Sequence, residues 1–586
     1  MARSTLSATP PGRVGRVLLW REPDEGGVEK VETATLTAEE VAMISANKIA
    51  GDRRGRQRPK LANKRSAMRR GGDGSRRRRI LLGVLACLGT FFVAGCSNSA
   101  PQEREAQTPA TQPNMIFVLT DDLDYASAQK MPQITSLLVD EGASFEEAFV
   151  SHPVCCPSRA TILTGLYDHN HDVLSNEPPS GGFEKFVSKG HEEGSIAVSL
   201  QEEGGYQTAF FGKYLNGYPA GDPTHVPPGW DEWYGKLDGQ KLYDYRINEN
   251  GEEFSYGSEE GDFFTDVLSG QATDFVRRAA PEEEPFFMYV APTAPHGPAT
   301  PAERHEGAFA EEEAPRSPSF NEEDVSDKPD AIGNADRLSE EEASDIDDYY
   351  RQRLESMLAV DEMVASLIQE LKAAGELEET FIFFTSDNGW FNGEHRIASG
   401  KNRSYEESAR VPLFVRGPGV PAGSNVERLA LNTDFAPTFA ELAGVSFPAD
   451  GRSLAPLLRG EDPPWRSSVL LERLPAEEGG AEGSGKAKDK GNGKGKGKNK
   501  DKTKTGGVPK GGAGGTPPFE AVRTETHKYV EYENGEKELY DLTNDPYELD
   551  NVYEGADPSL VEELKARLEA LESCSEDGCR EAEDAP

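Results

Sequence analysis

Residues 114–122 read Asn-Met-Ile-Phe-Val-Leu-Thr-Asp-Asp, an apolar run of strand length that ends at two aspartates. A continuous apolar run of this length is typical of a strand that is buried on both faces of a parallel sheet. Three later runs have the same form: 208–211 leads to Gly212-Lys213, 285–290 leads to His296, and 380–384 leads to Asp387-Asn388.

Helical spacing of apolar residues occurs between these runs, at 265–279 and from about 347 to 374, where Gly375 supplies a stop signal. Strands that alternate with helices predict an α/β fold, with a doubly wound, mostly parallel sheet flanked by helices. Open α/β sheets bind ligands at the carboxyl ends of their strands. The polar residues that follow the runs are therefore candidates for a functional site.

The rest of the chain divides by composition into further segments. The main domain is expected to cover 113–474, with an exposed acidic insertion at 302–345. Residues 475–517 are rich in Gly and Lys and are predicted to be disordered; the alternative is a basic arm that binds polyanions. Strand patterns at 519–530 and 538–542, and a helical pattern at 557–572, predict a smaller C-terminal α+β subdomain and tail over 518–586.

The charge balance is strongly acidic, with 63 Lys and Arg against 103 Asp and Glu in 586 residues. This balance argues against nucleic acid as a partner, because binding of the phosphate backbone needs a basic face. The acidity itself indicates a soluble surface. An anionic substrate would need a locally basic pocket within it.

A secretory signal is predicted at 68–96, where four arginines at 76–79 precede an apolar run at 80–94. The run is shorter than the roughly 20 residues that cross a bilayer. It ends Val-Ala-Gly-Cys96, which looks like a bacterial lipobox and makes Cys96 the expected lipid attachment site. The expected location is extracytoplasmic, with a lipid anchor in the cell membrane.

The signal is preceded by an unusual stretch, since a signal peptide normally begins a chain. We expect translation to start at Met68, so that 1–67 is a non-native or disordered extension; a genuine cytoplasmic extension is the alternative. Residues 97–112 are rich in Ala, Pro, Gln, Thr and Glu and are predicted to be a tether.

The chain has six cysteines, and two of them, Cys87 and Cys96, belong to the signal segment. Cys574 and Cys579 are expected to close a small structural disulfide loop, since disulfides form outside the cytoplasm. Cys155 and Cys156 are neighbours and poor partners for a disulfide. This adjacent pair needs another explanation.

The adjacent pair opens the motif Cys155-Cys156-Pro157-Ser158-Arg159, which runs on to Gly165. Here the sequence resembles the formylglycine-dependent sulfatases of the alkaline phosphatase superfamily. The resemblance implies that a separate maturation enzyme oxidises Cys155 to the aldehyde formylglycine, whose hydrate is the nucleophile. One hydroxyl of the hydrate would attack sulfur and the second would expel sulfate, which is covalent catalysis with its own release step.

Two carboxylate pairs accompany the motif. Asp121-Asp122 and Asp387-Asn388 each end an apolar run, and hard cations take oxygen ligands from Asp and Asn. The resemblance implies that these pairs, together with residue 155, hold one divalent ion. We expect calcium in preference to magnesium.

Four basic residues complete the predicted site by the same resemblance. Arg159 holds the hydrated aldehyde, and Lys213 and Lys401 bind the sulfate, where cations stabilise developing negative charge. His296 protonates the leaving oxygen or lies close to it, a role that suits imidazole. Many family members also carry a histidine at the position of Leu215. The candidates that remain for this missing base are His169, His171 and His395.

The motifs together look most like N-acetylglucosamine-6-sulfatases and heparan 6-O-sulfatases, over about 114–549. The expected substrate is a sulfated sugar such as 6-sulfated N-acetylglucosamine. One alternative is a phosphonate or phosphate ester hydrolase of the same superfamily. Another is an inactive lipoprotein that binds polyanions at the cell surface.

Overall fold

The computed structural model describes residues 112–476, 508–509 and 515–585, together with two short strands near the N-terminus. The chain divides into two compact units, residues 1–103 and 104–586. In the first unit the described part is an antiparallel pair, Arg16–Leu18 with Thr33–Thr35. The predicted signal at 68–96 with Cys96, the rest of 1–67, the tether as far as residue 111 and most of the Gly/Lys-rich segment lie outside the described residues.

The strands are, in chain order, β1 Arg16–Leu18, β2 Thr33–Thr35, β3 Asn114–Thr120, β4 Ala143–Phe145, β5 Ala148–Phe149, β6 Gln207–Gly212, β7 Glu232–Lys236, β8 Tyr245–Glu249, β9 Glu252–Tyr256, β10 Phe286–Ala291, β11 Thr380–Ser386, β12 Leu413–Arg416, β13 Ser424–Val426, β14 Ala430–Leu431, β15 Ser468–Arg473, β16 Phe519–Thr524, β17 His527–Tyr532 and β18 Lys537–Asp541.

The α-helices are α1 Tyr125–Ala128, α2 Pro132–Ile134, α3 Cys155–Thr164, α4 Asp168–His171, α5 Gly182–Ser188, α6 Ile196–Glu202, α7 Phe264–Ala279, α8 Asp330–Gly333, α9 Glu340–Ala374, α10 Glu406–Ala409, α11 Phe435–Ala443, α12 Ala455–Leu458, α13 Pro558–Leu571 and α14 Asp577–Glu583. Among the described residues, none of these helices has the length and apolar character needed to cross a membrane.

A ten-stranded sheet organises the second unit, in the order β13-β4-β12-β11-β3-β10-β6-β7-β8-β9. Its centre, from β11 to β7, is parallel, and antiparallel pairs flank that centre on both sides. The four apolar runs of the sequence are the strands β3, β6, β10 and β11. The predicted doubly wound α/β fold is confirmed.

The β3 strand shows why these runs are apolar without interruption. Successive side chains of a strand point to opposite faces. Ile116 and Val118 enter a core formed with α7 and α9, and Met115, Phe117 and Leu119 enter a second core formed with α3, α6 and α11. Both faces of the sheet are covered by helices, so every position of the strand must be apolar.

The long helix α9 begins earlier than its apolar pattern predicts. It starts at Glu340 behind a capping box, in which Ser339 accepts from the Glu342 backbone N–H and the Glu342 carboxylate accepts from that of Ser339. Acidic side chains in a first turn also interact favourably with the helix dipole. The helix ends at Gly375, which has a φ of 85°. Residues 340–346, four of which are acidic, thus belong to the helix, which corrects the predicted start near 347.

The acidic segment 302–345 is exposed at many positions, as its composition predicts, but part of it packs into the structure. Val325 and Ile332 are buried in one cluster with Phe391 and Ile397, which follow Asp387-Asn388 in the chain. Lys328 is buried as well and donates to the backbone oxygens of Glu548 and Leu549. The segment carries enough apolar side chains to pack, although acidic residues dominate its composition.

A second, antiparallel sheet of four strands, β15-β16-β17-β18, forms the C-terminal part. Helix α13 packs on it with Leu564, Leu568 and Leu571, each worth roughly 1.5–3 kcal/mol when fully buried. A Cys574–Cys579 disulfide follows the helix, as predicted. Strand β15 precedes residue 475, so the predicted boundary after residue 474 cuts through this sheet.

Candidate active site

The two carboxylate pairs lie side by side because their strands are parallel neighbours. Thr120 and Ser386 are in register at the ends of β3 and β11, so Asp121-Asp122 and Asp387-Asn388 leave the sheet together. The Asp122 backbone N–H donates to Asp387 Oδ1 over 3.1 Å. All four side chains are fully buried.

Helix α3 brings Cys155 to these carboxylates. Cys155 is the first residue of the helix, and its Sγ lies 3.3 Å from Asp121 Oδ1. Burial, and then the charges of Asp121 and Asp387, raise the pKa of this thiol well above its usual range. As a thiol it is therefore protonated and a poor nucleophile. In the matured protein the oxygens of the modified residue would stand where Sγ stands here.

Two lysines surround the Cys155 sulfur and the neighbouring aspartates. Lys401 Nζ lies 2.8 Å from Sγ and forms an ion pair with Asp122, and Lys213 Nζ lies 2.7 Å from Asp121 Oδ2. Burial opposes the charge of both lysines, but the aspartates hold the pKa of Lys213 above its ordinary value and that of Lys401 well above. Both ammonium groups are thus charged where an anion would bind.

Arg159 lies one helical turn after Cys155 and is also fully buried. Its Nε donates to Asp387 Oδ2 over 2.8 Å, and its Nη1 donates to the backbone oxygen of Lys213 over 2.7 Å. Its Nη2 has no hydrogen-bond partner among the described residues. Because an unpaired buried donor costs about 1–3 kcal/mol, this N–H is suited to hold an oxygen on residue 155.

The donor set fits a hard divalent cation. Asp122 Oδ2 and Asn388 Oδ1 are buried and have no hydrogen-bond partner among the described residues. Atoms of Asp121, Asp122, Cys155 and His296 lie within 4.8 Å of one another. Together with Asp387 the site offers three carboxylates and an amide oxygen, the ligand type that calcium and magnesium prefer. The ion would supply Lewis-acid polarisation of an ester oxygen.

His296 lies at the open side of this cluster. Its Nε2 is 3.7 Å from Asp122 Oδ2, its Nδ1 is 2.7 Å from the backbone oxygen of Gly297, and its side chain is 28 % exposed. The exposure leaves the ring accessible to a substrate. Of the chain's histidines, His296 is the one that the described structure places in the cluster with Cys155.

The three other candidate histidines have structural partners instead. His171 Nε2 contacts Thr161 Oγ1 at 3.0 Å, and its Nδ1 accepts from the Val173 backbone N–H. His395 Nδ1 contacts Glu322 at 2.7 Å. Leu215 is buried in the apolar core, so its position offers no base. The described structure places none of the three candidates, His169, His171 and His395, in contact with Cys155.

His169 joins the main domain to the C-terminal part. Its Nδ1 lies 3.0 Å from Glu472 Oε2, and its Nε2 lies 3.1 Å from the backbone oxygen of Cys574. Burial opposes protonation, but the hydrogen bond and the charge of Glu472 raise the pKa of His169 to about 9. The imidazolium therefore contributes to stability.

We expect His169→Gln to lower the stability of the protein in a pH-dependent way. A folded-state pKa above the unfolded value of about 6.5 stabilises fully below that value, and the stabilisation is lost as the pH rises through about 9. The loss should be about 1–3 kcal/mol at pH 6 and much smaller at pH 9.5. Tm measured at both values checks this. Equal losses at both, or loss of activity below the Tm, would contradict a structural role.

Two functional candidates escaped the sequence analysis. Arg353 of α9 is fully buried, and it donates through Nη2 to the backbone oxygen of Asp122 over 2.6 Å and to Asp124. His152 lies three residues before Cys155 and contacts Asn402, which follows Lys401. Each contact joins positions more than 200 residues apart, which no local pattern reveals.

Residues 508–509, a short described stretch within the Gly/Lys-rich segment, lie on the rim of this site. The Pro509 backbone oxygen accepts from Ser399 Oγ over 2.9 Å, two residues before Lys401. Val508 lies so close to Gly297 that a Cβ built there would be 3.0 Å from Val508 Cγ2. The segment thus returns to the main domain beside His296 and Lys401.

The buried nucleophile position, two lysines, an arginine and an oxygen-rich cation site define an esterase for a tetrahedral anion on an α/β fold. A sulfatase family model matches residues 113–445. The chain belongs to the sulfatase family, and it is a sulfuric ester hydrolase. Membership implies a divalent metal ion and a formylglycine made from cysteine.

Relatives share most of the chain. It is 34 % identical over 518 residues to an N-acetylglucosamine-6-sulfatase of Homo sapiens, covering 86 % of this chain and 89 % of the relative. It is 27 % identical to an N-acetylglucosamine-6-O-sulfatase of Bacteroides thetaiotaomicron, covering 83 % of this chain and 90 % of the relative.

A solved structure shares the fold. It shows a protein in complex with its substrate D-glucosamine-2-N,6-O-disulfate, with a TM-score of 0.62, 24 % identity, and coverage of 81 % of this chain and 99 % of that one.

Proposed function

We propose that this chain removes sulfate from the 6-position of sulfated glucosamine residues, with formylglycine at position 155 and a calcium ion as cofactors. The observation that carries the proposal is the cluster in which Lys401 Nζ, Asp121 and the Asp122 cation site surround Cys155 Sγ. The relatives named N-acetylglucosamine-6-sulfatases support the sugar. The formylglycine requires a maturation enzyme as a partner during synthesis.

Each residue of the site has a role in this proposal. Lys213 and Lys401 bind the sulfate group and stabilise the charge that develops on it. Arg159 orients residue 155 through its unpaired Nη2. His296 donates a proton to the leaving sugar oxygen, since it is the exposed imidazole of the cluster.

Calcium is favoured over magnesium by the number of protein ligands. Magnesium retains several waters and takes one or two carboxylates, whereas calcium accepts six to eight oxygens in a flexible arrangement. Three buried carboxylates, from Asp121, Asp122 and Asp387, with the Asn388 amide form a protein cage of the calcium type.

The substrate proposal is tested with matured protein on matched compounds. We expect kcat/KM for 6-sulfated N-acetylglucosamine to exceed that for the 4-sulfated isomer by at least ~10-fold, a discrimination of about 1.4 kcal/mol. We also expect 4-nitrophenyl sulfate to be cleaved at least ~100-fold faster than 4-nitrophenyl phenylphosphonate, because both are monoanions but a phenyl group on phosphorus replaces one of the terminal oxygens that the site would bind in a sulfate. Preference for the 4-sulfate would overturn the sugar, and preference for the phosphonate would favour a phosphonate hydrolase.

The lipoprotein alternative, an inactive protein that holds polyanions through its Gly/Lys segment, needs a decayed site. The described site keeps every predicted catalytic and metal-binding residue. Replacing the nine lysines from 486 to 504 by glutamine keeps Val508 and Pro509 in place. We expect sulfate release to continue in this variant. The alternative would be favoured if the wild type released no sulfate and the glutamine variant no longer bound heparin.

We further propose that the mature protein is extracytoplasmic and lipid-anchored through Cys96. The lipobox-like sequence and the Cys574–Cys579 disulfide support this location, since disulfides persist outside the cytoplasm. A mature N-terminus at a position other than Cys96, found by mass spectrometry, would refute the anchor.

A further inference from the structure

His152 is a fully buried histidine with two polar partners on different parts of the chain. Its Nδ1 is hydrogen-bonded to Asp168 at the start of α4, and its Nε2 lies 3.1 Å from Asn402 Oδ1. Asp168 is itself fixed, because its backbone N–H donates to Glu472 Oε1 over 2.8 Å. The imidazole therefore has a rigid support on one side and Asn402 on the other.

Asn402 in turn holds the loop that carries Lys401. Its backbone N–H donates to the Pro153 oxygen over 3.0 Å, and its φ is 70°, in the left-handed region. The loop is thus attached at two points, side chain and backbone, to His152-Pro153. With Nδ1 donating to Asp168, a neutral imidazole accepts at Nε2 from the Asn402 amide NH2, whereas an imidazolium donates to the amide oxygen.

The same short segment leads directly into α3 and Cys155. Residues 152–155 and 400–403 therefore lie together, and between them Lys401 Nζ reaches 2.8 Å from Cys155 Sγ. A lysine side chain has four rotatable bonds and an ammonium group without directional preference. Its placement at a reacting centre depends on how firmly its backbone is held.

We propose that His152 is a positioning residue for catalysis, which acts through Asn402 to keep Lys401 aligned with residue 155 and the sulfate position. The inference rests on the proposed function and adds a residue that touches neither substrate nor metal. Asp168 holds the ring, the ring holds Asn402, and Asn402 holds the lysine loop.

The test uses the full chain, calcium-loaded, in its matured form for kinetics and its unmodified thiol form for sulfate binding, with three single variants and one double variant. His152→Ala removes the ring. Asn402→Gly removes the amide but accepts the positive φ, because glycine adopts that conformation without strain. His171→Gln is the matched control, since His171 is equally buried and lies 3.3 Å from the same Asp168 but has no contact with Asn402.

We expect His152→Ala and Asn402→Gly each to lower kcat/KM for 4-nitrophenyl sulfate by ~10–100-fold, at a temperature below every Tm. The kcat/KM of the double variant should equal that of the less active single variant, because both substitutions remove the same linkage. Binding of inorganic sulfate to protein with an unmodified Cys155 thiol, measured by calorimetry, should weaken in both variants. His171→Gln should lose stability but keep kcat/KM and sulfate affinity within ~3-fold.

Several results would overturn the proposal. These are kcat/KM of His152→Ala equal to that of His171→Gln, multiplicative effects in the double variant, or unchanged sulfate binding. Mass spectrometry of residue 155 in each variant separates a maturation defect from a positioning defect, since rates are compared per formylglycine. A wild type without sulfatase activity would instead refute the proposed function, so the two failures are distinguishable.

Discussion

Cys155→Ala should lower sulfatase activity by at least ~10⁴-fold, since the substitution removes the residue that would be oxidised to the nucleophile. The residue is buried at the start of α3, and Ala is favourable in helices. The variant should therefore fold with a Tm close to that of the wild type. Hydrolysis of 4-nitrophenyl sulfate by matured wild type and variant checks the loss.

The neighbouring cysteine provides the matched control. Cys156 is equally buried, but it packs in the apolar core that α3, α6 and α11 form on one face of the large sheet. Cys156→Ala should cost about 1 kcal/mol of stability through the small cavity it leaves and should keep activity within ~5-fold. Activity above ~1 % in Cys155→Ala, or equal losses in both variants, would contradict a nucleophile at position 155.

Asp122→Asn should abolish calcium binding measurable by calorimetry and lower kcat/KM by ~10²–10⁴-fold. The substitution keeps the shape of the side chain but removes its negative charge. Asp122 Oδ2 is buried without a hydrogen-bond partner among the described residues, as expected of a cation ligand. Cation affinity depends on the number of charged ligands. The lost affinity should be visible in the unmodified thiol form as well, which makes the measurement independent of catalysis.

Asp124 is the control for this prediction. It is also buried, but it caps α1, where Oδ1 accepts from the Ser127 backbone N–H over 2.9 Å and Oδ2 from Ser127 Oγ. Asp124→Asn should lower stability by about 3–5 kcal/mol, because asparagine keeps the helix cap but leaves the charge of the buried Arg353 without its carboxylate partner, and it should leave calcium affinity unchanged. Equal losses of calcium affinity in the two variants would contradict the assignment of Asp122 as a ligand.

The sequence predicts the central part of the molecule well, because that part is encoded locally. The four buried strands are short apolar runs, and their register places Asp121-Asp122 beside Asp387-Asn388 once the sheet is parallel. The motif from Cys155 to Gly165 becomes one helix, with Gly165 as its left-handed end. The strands follow from composition and spacing within each run, and the motif from Cys155 to Gly165 is identified by its resemblance to the sulfatases.

Other features depend on distant contacts and escape prediction. The strands β7 to β9 lie at the edge of the sheet and lack a strong apolar run, because β7 and β8 mix buried with half-buried residues and β9 is mostly exposed. Residues 302–345 look solvated by composition, but part of the segment packs against Phe391 and Ile397. The proposed role of His152 depends on its contact with Asn402, which lies 250 residues later in the chain. A lone histidine before a motif carries no such signal.

The most direct measurement of the central claim compares specific activity with the fraction of formylglycine at residue 155. Protein produced with different amounts of maturation enzyme gives a series of fractions, which mass spectrometry of the tryptic peptide containing Cys155 measures. The account predicts that sulfate release is proportional to the formylglycine fraction and extrapolates to zero for the thiol. Sulfate release at full rate from protein whose residue 155 is an unmodified thiol would contradict it.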